Sequence, residues 1–75
     1  MASKHVKLRI EAALPQNRKA LIKYVEKRGA TNVRPSCSHR AFTCEVADIR
    51  KASDLLLDLK YEFPKAYYQG WTENS

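Results

Sequence analysis

Lys7 and Arg9, together with Arg34, Tyr67 and Trp71, combine cations with aromatic rings. That mixture suits nucleic acid, because Lys and Arg neutralise phosphates while rings stack on unpaired bases. A second cationic group, Lys19, Lys23 and Lys27, recurs every four residues. On a helix this spacing makes one continuous ridge, which only Glu26 partly offsets. An anionic partner is the expected ligand of either group, nucleic acid or a nucleoprotein before others. Leu57 and Tyr61 form a third group, four residues apart beside Asp54 and Asp58. An apolar pair ringed by carboxylates is the kind of anchor that a protein partner uses.

Cys37, His39, Cys44 and His5 raise the question of zinc. The spacing C-x-H-x4-C is not a structural-zinc pattern, and strand alternation turns His5 to the opposite face from the cysteines. No metal and no cofactor is expected. The two cysteines fit small buried hydrophobes, with a Cys37–Cys44 disulfide as the alternative that the strand register decides. Only Gly29 and Gly70 are glycines, so no phosphate-cradling loop exists, and no serine, cysteine or carboxylate comes with an evident orienting partner. The chain is not expected to be an enzyme.

The elements that must position these residues are clearest between Ala41 and Phe63. Phe42, Cys44 and Val46 alternate with Ala41, Thr43 and Glu45, after which Ile49, Ala52, Leu55, Leu56, Leu59 and Phe63 follow helical spacing. A strand therefore passes into a helix near Asp48, whose carboxylate is placed to cap it, and Pro64 stops it. Upstream, Val6, Leu8, Ile10 and Ala12 alternate with His5, Lys7, Arg9 and Glu11, predicting a first strand with one buried face. Pro15 suits the first turn of a helix with Leu21, Tyr24 and Val25 inward, and Gly29 suits its left-handed end. A second strand follows from Thr31, and Pro35 places it at a sheet edge or a bulge. Lys65 to Trp71 is expected as a fourth strand, with Tyr67, Gln69 and Trp71 on one side.

The order βαββαβ resembles that of ferredoxin-like folds: an α+β sandwich with a four-stranded antiparallel sheet and two helices on one face. The resemblance implies that strands one and three are central and that the other sheet face is open. On that face Lys7, Arg9, Arg34, Tyr67 and Trp71 would meet. Residues 40–46, RAFTCEV, loosely resemble the third-strand motif of RNA-recognition domains, but Phe42 takes the core parity rather than the open one. The pattern from Ala47 to Tyr68 is similar to the second half of SPOR domains. No functional residue is carried over from either family.

The whole chain, 1–75, is expected to be one domain with short disordered tails at about 1–3 and 72–75. A chain of 75 residues builds one core at most. Hydrophobic content of 44% and charged content of 29% exclude a disordered chain, and no segment has the length of a signal peptide or a membrane span. A cytoplasmic location and no membrane partner are the expectation. The net charge of +6 draws anionic surfaces without naming them. The expected function is a small basic binding domain that docks nucleic acid or a nucleoprotein. The alternative is a regulator or inhibitor, of phage or mobile-element type, that binds one host protein. A homodimer through the open sheet or an edge strand is a third partner class.

Overall fold

The computed structural model describes residues 5–36 and 38–73. Its elements run β1 (Val6–Ala12), α1 (Arg18–Lys27), β2 (Thr31–Pro35), β3 (Ala41–Val46), α2 (Ile49–Glu62) and β4 (Tyr67–Glu73), with a 3-10 turn at Pro15–Asn17 leading into α1. The four strands form one antiparallel sheet in the order β2-β3-β1-β4. The protein is therefore α+β, with a four-stranded antiparallel sheet and two helices.

Local chemistry explains each boundary. Pro15 opens the 3-10 turn, where its missing N–H removes no bond, and Asn17 precedes α1 without a side-chain cap. Gly29 ends α1 at φ +98°, and the Ala30 N–H returns to the Val25 carbonyl to close the last turn. Asp48 Oδ1 accepts from the Lys51 N–H at 2.8 Å and so caps α2. Phe63 then leaves the helix just before Pro64.

β1 and β3 pair in a continuous register, Leu8 opposite Cys44 and Ile10 opposite Phe42. These residues share one sheet face, and with Ala12, Leu21, Val25, Val46, Ala52, Leu55 and Leu59 they form the buried core. Both helices thus contribute to the same apolar layer. Tyr24 and Phe63 join the helices edge to face, with ring centroids 5.2 Å apart. Arg28, just past α1, donates to Tyr24 Oη and pairs with Asp58 of α2. Those two hydrogen bonds, Asp58 first, raise the guanidinium above its ordinary pKa. At the other end, Arg18 Nη1 donates to the carbonyls of Ser38 and Ala41 at 3.3 and 3.4 Å, tying the β2–β3 connection to the start of α1.

Several expectations need correction. Ile49 leaves the apolar stripe: it lies at its rim in the first turn of α2 and is 58% exposed. Thr72 and Glu73, expected in a frayed tail, extend β4 opposite Leu8 and Lys7. The fourth strand begins at Tyr67 rather than Lys65, because residues 64–66 turn back on the helix end, with the Tyr67 N–H bonded to the Phe63 carbonyl. The tail expected at 1–3 and Cys37, with its disulfide alternative, lie outside the described residues.

Candidate nucleic-acid interface

The face of the sheet away from the core collects the odd-numbered residues of β1. Arg9 lies opposite Thr43 of β3 on one side and Trp71 of β4 on the other, and Thr43 in turn pairs with Arg34 of β2. One row thus crosses all four strands: Arg34, Thr43, Arg9, Trp71. The Arg9 guanidinium stands 6.0 Å from the Trp71 ring centroid, at the outer limit of a cation–π contact, and Trp71 remains 40% exposed. Lys7 occupies the neighbouring row between Glu45 and Glu73. Lys7 and Arg34 both flank a hollow of about 240 Å³ that also touches Asn32, Thr43 and Glu45.

The carboxylates of this face are each engaged. Glu11 accepts from Arg40 at 3.1 Å and from Gln69 at 3.0 Å. Glu45 accepts from Asn32 Nδ2 at 3.0 Å and lies 3.4 Å from His5 Nδ1. The Asn32 hydrogen bond, ahead of the His5 contact, holds the Glu45 carboxyl below its usual range. Glu73 lies 4.0 Å from Arg9 Nη1. Asn32 itself adopts φ +54° at an irregularity of β2, and its Oδ1 accepts from Arg34 Nε at 3.3 Å. The bulge thereby aims Arg34 along the sheet.

Tyr67 does not join this row. The register of β1 and β4 slips between Glu11 and Ala12, so Glu11 faces Gln69 while Ala12 faces Tyr67, and Tyr68 is the additional residue. Strict alternation would put Tyr67 with Gln69 and Trp71. The extra residue turns it to the helix side, where it packs on the core and burial raises its phenol above the ordinary range. Gly70 lies on that side too, and a Cβ there would stand 2.7 Å from Leu56 Cδ2 and 3.0 Å from Tyr67 Oη.

The second cationic group lies elsewhere. Lys19, Lys23 and Lys27 are exposed on α1, opposite the buried Leu21 and Val25, and so face away from the sheet. Leu57 and Tyr61 are 56% and 81% exposed on α2, opposite Leu55 and Leu59. The structure thus separates three surfaces that the sequence suggests: sheet row, lysine ridge and apolar pair. Arg40, Asn32 and Gln69, which position the carboxylates, had no signal in the sequence, because each acts through a cross-strand partner.

Cys44 is a fully buried thiol opposite Leu8. Among the described residues, no group of three His, Cys, Asp or Glu side chains is placed to hold a metal ion, and no helix is long and apolar enough to cross a membrane. Comparison with protein-family models, curated proteins and solved structures finds no match to this chain.

Proposed function

We propose that this chain is a non-enzymatic binding domain that docks single-stranded nucleic acid on the open face of its sheet. The observation that carries the reading is the row of Arg34, Thr43, Arg9 and Trp71, in which an exposed indole on the edge strand β4 sits beside a guanidinium of the central β1. An unpaired base stacks on Trp71, while Arg9, Lys7 and Arg34 meet the flanking phosphates. The open face itself is close to neutral, since Lys7, Arg9, Arg34 and Arg40 stand against Glu11, Glu45 and Glu73. The ridge of Lys19, Lys23 and Lys27 therefore supplies long-range attraction rather than contact. We assign the arrangement to the ferredoxin-like class, supported by the chain order βαββαβ with β1 and β3 central. Action in the cytoplasm goes with this reading.

The test uses the chain's single tryptophan. Titration with short single-stranded oligonucleotides should quench Trp71 emission, more than a duplex of the same length, and the affinity should fall as salt rises. Trp71→Ala, followed by anisotropy of a labelled strand, should cost about 1–3 kcal/mol of binding, roughly five- to 150-fold. Unchanged emission at low salt would remove the sheet from the reading. Binding that survives Arg9→Ala and Trp71→Ala but fails when the three lysines become Gln would move it to α1.

The exposure of Leu57 and Tyr61 favours a second reading, a regulator or inhibitor that holds one protein through α2. Nuclease-treated capture from a host lysate separates the two: a stoichiometric protein retained by the wild type and lost on Leu57→Ser with Tyr61→Ser belongs to this reading alone.

A further inference from the structure

The two edges of the sheet are built differently. β2 spans five residues, carries a register irregularity between Thr31 and Arg34, holds Asn32 at φ +54° and ends in Pro35, which has no N–H to offer. Bulges, charges and prolines of this kind keep an edge from pairing with another chain. β4 spans seven residues, contains no proline, lysine or arginine, and has its only register slip at its start. The Ala12 N–H points to β3 and the Ala13 N–H points to the β4 side. By strand alternation Gly70 and Thr72 therefore turn their N–H and C=O groups outward.

The helix above this edge also leaves apolar surface beside it. Asp58 marks the flank of α2 that meets α1, through Arg28. The opposite flank carries the exposed Ile49, with Ser53 and Lys60, and Lys60 lines a hollow of about 400 Å³ with Tyr68, Gln69 and Gly70 of β4.

Charge selects the occupant. α1 holds Arg18, Lys19, Lys23 and Lys27 against Glu26 alone, whereas α2 balances Arg50, Lys51 and Lys60 with Asp54, Asp58 and Glu62, and β4 adds only Glu73. A chain of net charge +6 thus keeps its β4 side near neutral. A strongly basic or acidic partner would find no complement there, while a second copy would meet it with its own excess charge turned away. We propose that β4 is a self-association edge, at which two copies pair antiparallel about a two-fold axis normal to the sheet. The product is one eight-stranded sheet. Across the axis residue i of one β4 meets residue j of the other and j meets i, both α2 helices lie on one side, and Ile49 and Tyr68 become covered. This inference is independent of nucleic-acid binding.

Sedimentation equilibrium of the full chain, without nucleic acid, tests it. Between about 1 μM and 1 mM a monomer–dimer equilibrium is expected, and added salt should strengthen it, because the cationic α1 halves repel each other. Thr72→Lys and Ile49→Lys should each raise the dimer dissociation constant roughly tenfold or more. Thr31→Lys adds the same charge at the β2 edge and should leave pairing unchanged. Circular dichroism checks folding, and Ile49→Lys, on an exposed helix position, carries the test alone if Thr72→Lys unfolds the chain. A monomer throughout the range overturns the proposal. So does a dimer that salt disperses, or one that Thr31→Lys breaks while Ile49→Lys does not.

Discussion

Cys44 lies opposite Leu8 in the centre of the core, and its thiol is pushed up to about 11 by burial, with the neighbouring Glu45 charge adding to the effect. An ordinary thiol ionises near ~8.5, so the unfolded chain loses this proton first as pH rises. The folded-state value is the raised one; its stabilising contribution is complete below the unfolded value and disappears through the folded one. Stability should therefore fall between about pH 8.5 and 11, by up to ~3 kcal/mol from this group. Urea unfolding of a Cys37→Ser chain across that range checks it, with the further Cys44→Ala change removing the part of the slope below about pH 10, where the raised Tyr67 phenol does not yet contribute. A slope that persists without the thiol would assign it to other groups. Glu45 works in the other direction: its lowered carboxyl contributes above the unfolded value and loses that contribution as pH falls through the folded one.

At the level of elements, α2 depends on its first turn. Asp48 satisfies the Lys51 N–H, and no acidic residue of the first helical turn can substitute for it. Asp48→Ala should cost about 1 kcal/mol, with a range of roughly 0.5–2, read as a lower urea midpoint at unchanged slope. An unchanged midpoint would mean that tertiary packing alone fixes the start of α2. The cap, the switch from strand to helix period and the Gly29 terminus were all legible in the sequence, because each is decided within a few residues. Tyr67 was not legible. Its side depends on a register slip against a strand more than fifty residues earlier, and period-2 alternation has no means of counting an inserted residue. Ile49 failed for a related reason. Helical spacing put it in the stripe with Ala52 and Leu56, and whether that flank of the helix is covered depends on which neighbour lies beside it. Alternation and helical spacing give two separate basic groups, and the structure keeps them apart: the sheet brings together Arg9, Arg34 and Trp71, and packing sends the lysine ridge to the opposite side.

The molecule as a whole turns its lysine ridge away from the open face of its sheet. Lys19, Lys23 and Lys27 stand on a helix turned away from the sheet, and they account for half of the net charge of +6. Replacing all three by Gln, a residue of similar helix propensity, leaves +3 and should relieve self-repulsion. The expected gain is a few tenths of a kcal/mol at low ionic strength, vanishing at high salt where the charges are screened. Urea midpoints at about 10 mM and about 500 mM salt measure it. An equal shift at both would trace the change to helix propensity instead.

Tyr68 occupies the position where β4 gains one residue on β1. A pleated sheet has two sides, and an added residue that paired normally would exchange them for everything before it, whereas one left unpaired in a bulge cancels its own effect. Because Tyr68 is left out of the pairing, Tyr67 stays opposite Ala12 as part of the scaffold and Trp71 stands on the open face. Insertion or deletion at this point is therefore absorbed: without Tyr68, Tyr67 would still alternate with Gln69 and lie opposite Ala12, so the strand tolerates here a change of length that elsewhere would turn its tyrosine out of the scaffold.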